Sequence, residues 1–232
     1  MQNEIAAAVT EAMKLAVADY YRRALTLSPN DASTLNNGAI LASKIGRIDM
    51  AIDLLNCSTK ADPTTAIPHL NLVQIYLGLG DLDAAERATG KALELNPDVH
   101  YAHAALAMVS LLRGNPKQAL GLADSIKIER IKSVVCSIGL YELGRIDESD
   151  EVVEALIEEH ADRYAYYIAM VHAWRGVTDT AFHWLNTAID ENQYIDAIRI
   201  EAFLQVLHTD LRWEQTLSRV GLADSQVELI EF

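Results

Sequence analysis

From residue 32 onward the apolar residues fall in blocks of helical spacing, and short polar turns holding a glycine separate the blocks. In the first pair of blocks Leu35, Leu41, Ile45, Ile48, Leu54 and Leu55 form the stripe, and the reversal lies at Ile45-Gly46-Arg47. Apolar residues three to four apart predict helices that each bury one face. A glycine between two such helices fits a reversal through the left-handed backbone region, which it enters without steric cost. The pattern then repeats: Pro29, Pro63 and Pro97, Gly46, Gly80 and Gly114, and Ala51, Ala85 and Ala119 are all spaced by 34 residues. A fixed period of that length predicts stacked helical hairpins, each covering the apolar face of its neighbour. Ala39 and Ala51 fall where the two helices of a pair cross, and small side chains there let the axes approach.

Read in order, the chain divides into an N-terminal helix over 1–31 that ends in a partial repeat, five repeats and a C-terminal helical cap over 192–232. The repeats are expected near 32–65, 66–99, 100–129, 130–161 and 162–191, with helices of the first near 32–45 and 48–61. Pro116 opens the second helix of the third repeat, a first-turn position that tolerates proline. Gly144 follows Gly114 by only 30 residues, so a shortened helix or loop is expected near 127–132. Two further helices are expected over 195–207 and 211–220, with Asp210 as N-cap of the second. Leu204, Leu207, Trp213, Leu217, Ile230 and Phe232 would cover the last apolar face, as a repeat array requires. Residues 3–27 hold no glycine or proline, so the first hairpin of the array is either fused into a rod or lost at a truncation. The face carrying Ile5, Val9 and Met13 then has no partner within the chain and is a candidate oligomer contact.

Charge narrows the partners. The 33 acidic against 19 basic residues give a formal net charge of −14, with no Lys/Arg-rich segment to compensate. Nucleic acid or an anionic membrane surface would need a basic stripe, so the expected partner is a protein or peptide that is basic or apolar. Glu4, Glu11, Lys14 and Asp19 interrupt the N-terminal apolar positions, which excludes a signal peptide or membrane span there. Cys57 and Cys136 fall about two repeats apart, too far for the roughly 7 Å limit between bridged α-carbons. Reduced thiols suit the cytoplasm; the periplasm is the alternative if the chain is a fragment of a membrane-anchored regulator.

The offsets of a large residue, Leu, Tyr, Gly, Ala, a large residue, Ala and Pro resemble the tetratricopeptide repeat. The second repeat fills most of them with Leu72, Tyr76, Gly80, Ala85, Ala92 and Pro97, and Asn36-Asn37-Gly38-Ala39 is similar to the family consensus. The resemblance implies an all-α, right-handed α-solenoid of antiparallel helical hairpins that binds proteins rather than catalysing a reaction. Over 138–232, Leu143-Gly144-Arg145, Ala181-Phe182-His183-Trp184-Leu185 and Asp210-Leu211-Arg212-Trp213 resemble the C-terminal end of bacterial tetratricopeptide regulators. Those are commonly joined to an adenylate cyclase or winged-helix domain, which implies a sensory or docking module.

In such arrays the first helix of each pair lines a concave groove. The resemblance places Asn36 and Ile40, then Ile67, Leu70, Asn71 and Gln74, on its polar end. Tyr101, Met108 and Leu111, then Ile138 and Tyr141, and finally Tyr166 and Met170 carry it on as an apolar wall. A wall of this size implies a bound peptide or amphipathic helix, or coverage by the protein's own chain or a second copy. The family's carboxylate clamp is not expected, because Ile40, Tyr101 and Ala105 stand where it needs asparagine, lysine and arginine. His69, His100 and His103 are read as packing or surface residues, since equivalent positions in adjacent repeats lie about 10 Å apart and zinc ligands sit about 2 Å from the metal. No phosphate loop, nucleophile elbow or dinucleotide fingerprint occurs, so no enzyme activity, cofactor or metal is expected.

Overall fold

The computed structural model describes residues 16–193, 195, 197–228 and 230. Helix α1 covers 16–27. The helices that follow are α2 (Ala32–Lys44), α3 (Ile48–Ala61), α4 (Ile67–Leu79), α5 (Leu82–Leu95), α6 (His100–Leu112), α7 (Pro116–Leu122) and α8 (Glu129–Glu142). The chain continues through α9 (Ile146–Trp174), α10 (Thr178–Asp190), α11 (Arg212–Arg219) and the short α12 (Asp224–Val227). No strand occurs among the described residues. Successive helices pack as hairpins, α2 with α3, α4 with α5, α6 with α7 and α8 with α9, while α2 touches α4, α4 touches α6 and α6 touches α8. These latter contacts line the first helices up as one inner layer. The architecture is therefore an all-α solenoid.

Each hairpin closes in the same way. At the end of α4 the Gly80 N–H bonds the Leu77 carbonyl at 3.1 Å and the Asp81 N–H bonds the Tyr76 carbonyl at 3.0 Å. This Schellman closure needs a left-handed residue at its turn, and Gly80 has φ 72°. The same pair of bonds closes α8 at Gly144, φ 74°. No atom lies within 4 Å of where a Cβ would stand on Gly144. A Gly144→Ala substitution therefore costs only the backbone strain, roughly 1 kcal/mol, and chemical denaturation should show a loss of that size. After α10 the closure recurs with Asn192, φ 51°, in the turn position. Asparagine tolerates the left-handed region better than other side-chain-bearing residues, which is why the glycine ruler disappears there while the geometry persists.

Where paired helices cross, Ala39 meets the register of Ala51, Val73 that of Ala85, Ala107 that of Ala119 and Ala169 that of Ala181; all are fully buried. The fourth repeat departs from this with Ser137 and Ser149 at the corresponding positions, also buried. The Ser149 hydroxyl donates to the Ser137 carbonyl at 2.5 Å. Arg175 enters from the following hairpin, donating to the Ser149 hydroxyl at 2.5 Å, the Ser137 hydroxyl at 3.2 Å and Asp150 at 2.7 Å. Its guanidinium also lies 5.2 Å from the centre of the Tyr141 ring. An apolar crossing has thus become a buried polar node.

Three stretches differ from the sequence expectation. The shortening expected near 127–132 lies slightly earlier: α7 runs only to Leu122, a 3-10 turn covers Ala123–Ser125, and α8 begins at Glu129. The boundary expected between 161 and 162 is no loop, because α9 runs through it with a kink at Tyr164 (φ −124°, ψ 20°). Gln193 serves this kink, donating to the Ala161 carbonyl at 3.1 Å and accepting from the Tyr166 N–H at 3.4 Å. Finally, the helix expected over 195–207 is replaced by 3-10 turns at Ile198–Ile200 and Ala202–Leu207, with Glu201 extended between them.

At the far end, α11 docks on α10 through Arg212 to Asp179 at 2.7 Å and Arg219 to Asp190 at 2.5 Å. The Arg212 guanidinium stacks over the Phe182 ring at 4.3 Å. Asp210 was expected as the N-cap of this helix; it stands one residue earlier, the N-cap is Leu211 with no side-chain cap bond, and Asp210 accepts from the Arg212 N–H at 2.9 Å across a turn. Leu204, Leu207, Trp213, Leu217 and Ile230 are all buried. Ile5, Val9, Met13 and Phe232 lie outside the described residues.

Candidate functional site

The inner layer formed by α2, α4, α6, α8 and the second half of α9 faces a segment of the protein's own chain. Residues 197–207, called the strap below, touch α2 and α4 through their first turn and α4 and α9 through their second. Ile198, Phe203, Leu204 and Leu207 are at most 2% exposed and belong to one continuous core with the repeats. Phe203 meets Trp174 of α9 edge to face, with 5.5 Å between ring centres. Gln205 donates through its amide to the Gly78 carbonyl. Gly78, in the last turn of α4, explains how the strap comes so close: a Cβ there would lie 2.2 Å from the Ile200 carbonyl oxygen. The missing side chain in α4 is thus matched to a backbone pressed against it. Arg199 spans outward, donating to the Leu222 carbonyl and to Asp224 at 2.6 Å.

Against this frame of helices the expected groove residues separate into two groups. Met108, Leu111, Ile138, Tyr166 and Met170 were expected as an apolar wall, open to a partner or covered by the protein's own chain or a second copy; all are at most 5% exposed. They share the continuous core with the strap's apolar side chains. Ile40, Leu70, Asn71, Gln74, Tyr101 and Tyr141 are half-buried, Asn36 is buried, and Ile67 is 58% exposed. The two asparagines are bonded to each other, Asn71 donating to the Asn36 side-chain carbonyl at 2.8 Å. Tyr141 lies beneath Arg175. What remains open on the inner face is its α2–α4 end, where Ile40, Ser43, Lys44, Asn71 and Gln74 meet Ala197 and Ile200 of the strap around a cavity of about 100 Å³.

A second, smaller cavity of about 70 Å³ lies at the middle of the strap, between Gln74, Tyr101, Met108, Ile131, Tyr166, Tyr167, Met170, Ala197 and Glu201. The Tyr166 hydroxyl is buried there without a hydrogen-bond partner. The Glu201 carboxylate accepts only from its own turn, from the Phe203 N–H at 3.3 Å. Burial with no facing cation pushes its pKa up to about 7, and the same burial raises Tyr101 and Tyr166. Arg130 is turned away, donating to the Tyr167 hydroxyl at 2.9 Å.

The sequence pattern puts Leu204 and Leu207 in a terminal cap, and nothing in it marks Glu201. The available signal was Gly78, a glycine inside an otherwise regular helix. Elsewhere, Cys57 and Cys136 are free thiols. Among the described residues no group of three or more His, Cys, Asp and Glu side chains converges as a metal site, and no helix is long and apolar enough to cross a membrane.

A stack of helical hairpins closed by left-handed glycines, with small residues at the crossings and an apolar inner face, defines a solenoid of the tetratricopeptide type. Comparison with known proteins agrees. The tetratricopeptide repeat family matches residues 70–133, while no curated protein matches the chain. A tetratricopeptide repeat protein from Parabacteroides merdae is similar in structure over 100% of this chain and 94% of its own, at TM-score 0.56 and 16% identity. YrrB, described as a TPR protein with an unusual peptide-binding site, is similar over 78% of this chain and 97% of its own, at TM-score 0.50 and 21% identity. The MamA protein is similar over 64% of this chain and 91% of its own, at TM-score 0.50 and 20% identity.

Proposed function

We propose that this protein is a non-catalytic protein–protein interaction module whose inner face receives an apolar peptide segment or amphipathic helix, in a regulatory or assembly role in a bacterial cytoplasm. The observation that carries the reading is the strap: the inner face already holds an irregular peptide segment by burying Ile198, Phe203, Leu204 and Leu207. Recognition through apolar side chains and not charge fits a chain of net charge −14 whose inner wall lacks a basic cluster. The open α2–α4 end is where a partner first makes contact. Peptide display against the full chain should enrich apolar segments whose affinity barely changes with salt, because little ion pairing is involved. An Ile67→Glu substitution, at a position 58% exposed on α4 and one turn before Asn71, should leave stability unchanged and weaken the selected peptides by about tenfold, or about 1.4 kcal/mol. Equal binding by the substituted and original proteins would end the reading.

A second reading, self-association through the N-terminal helix, is favoured by the exposure of Tyr20 (66%) and Leu27 (82%) on α1. It predicts a dimer in sedimentation that Tyr20→Glu with Leu27→Glu converts to a monomer. A monomeric original protein would remove it.

A further inference from the structure

We infer that residues 197–207 are an intramolecular ligand of the inner face, and that a partner segment of similar chemistry binds by displacing them. The inference rests on the peptide-binding reading above and adds to it who the competitor is and which features the partner shares with it.

The repeats make their own core without the strap. Buried small residues at the crossings, Ala39 with Ala51, Ala107 with Ala119 and Ala169 with Ala181 among them, and the hairpin contacts from α2 to α10 lie between the helices, and the strap is laid onto the inner surface of that assembly. It is attached as peptides are attached, by side chains in pockets. Among the described residues its backbone hydrogen bonds are local and none reaches the repeats: Ile198 N–H bonds the Ile195 carbonyl, Ile200 N–H the Ala197 carbonyl and Leu204 N–H the Glu201 carbonyl. Among the described residues the side-chain hydrogen bond that reaches the repeats is the one from Gln205 to Gly78. The fit is incomplete at the centre, where the Tyr166 hydroxyl is buried unpaired and the Glu201 carboxylate receives nothing from the repeats. An unpaired buried polar group costs about 1–3 kcal/mol, and a partner that offers an acceptor to Tyr166 escapes that cost. The competing partner is thus a short apolar segment with large side chains at the spacing of Ile198, Phe203, Leu204 and Leu207 and a neutral hydrogen-bond acceptor where Glu201 stands.

The test uses the full chain and a capped synthetic peptide of residues 197–207. In a Phe203→Ala plus Leu204→Ala protein the groove is intact and its occupant weakened, so the peptide should bind at least about tenfold more tightly than to the original protein. Adding Gly78→Ala should abolish that binding, because its Cβ meets the Ile200 carbonyl. Display-selected peptides that bind both proteins equally, while the 197–207 peptide binds neither, would overturn the inference and leave the peptide-binding reading standing. Two folded proteins that bind no peptide at all would remove both. Should the double substitution abolish folding, Gly78→Ala alone decides, since alanine favours the α4 helix itself. Faster hydrogen exchange confined to 198–207 supports a displaceable strap, and exchange accelerated across all repeats shows an inseparable core.

Discussion

Replacing Arg175 by methionine destabilises the protein by about 3 kcal/mol, and adding Ser137→Ala and Ser149→Ala to the same protein recovers most of that loss. Arg175 is 8% exposed and holds two buried hydroxyls and Asp150 at once. Methionine removes hydrogen bonds from a charged donor, worth about 1.5–3 kcal/mol, and leaves the buried Ser137 and Ser149 hydroxyls with only the bonds between the two serines. Asp150 is half-exposed and returns to water cheaply, so the larger cost of an abandoned buried charge does not apply. The triple substitution restores the apolar crossing seen at Ala39 and Ala51, at Ala107 and Ala119, and at Ala169 and Ala181. Replacing a complete buried polar group by apolar residues is often neutral or stabilising. Urea denaturation of the original, the Arg175→Met, the Ser137→Ala plus Ser149→Ala and the triple proteins reads the coupling directly. A triple protein no more stable than Arg175→Met would show that packing around the arginine stem, and not hydroxyl satisfaction, sets the cost.

The fourth repeat also shows how far the sequence could be read. Period and turn chemistry are local: a glycine every 34 residues forces a reversal wherever it stands, so the helices of the first repeats follow from the chain directly. The kink at Tyr164 depends on Gln193, which lies in the turn after the following helix, and no local pattern announces such a bond. The same reason hid the strap. Residues 197–207 carry apolar residues at helical spacing, and in isolation that pattern reads as a helix. The inner face overrides it: the strap packs on α2, α4 and α9, and at Gly78 its backbone presses directly against α4, a closer approach than the usual 8–10 Å between packed helix axes allows. The apolar wall was legible as a surface needing cover; what covers it was decided by tertiary contacts such as that between Gly78 and Ile200.

Raising the pH from about 5 to about 8 should loosen the strap, and Glu201→Gln should remove that dependence. Glu201 sits at the break between the two turns, and burial raises its pKa from the ordinary 4.5 to about 7. With the strap docked the carboxyl keeps its proton between those values, whereas a released strap gives it up. The docked state binds the extra proton, so its advantage is full below about 4.5, falls by up to about tenfold in the docking equilibrium per pH unit, and is lost above about 7. The groups that face Glu201 do not titrate in this window: Tyr101 and Tyr166 are raised above the ordinary tyrosine value, and Arg130 is committed to the Tyr167 hydroxyl. On the strap itself, Arg199 is paired with Asp224. Burial holds His69, His172 and His208 below the ordinary value of 6.5. These histidines stabilise the fold as pH rises, the opposite sign, so a global melting curve mixes the two effects. The local readout is the protection factor of the Leu204 amide, corrected for intrinsic exchange, together with Trp174 emission, which reports the contact with Phe203. In the original protein protection should fall from pH 5 to 7 and level off beyond. In the Glu201→Gln protein it should stay flat or rise slightly with the histidines, and a fall of equal size in both would place the titrating group elsewhere.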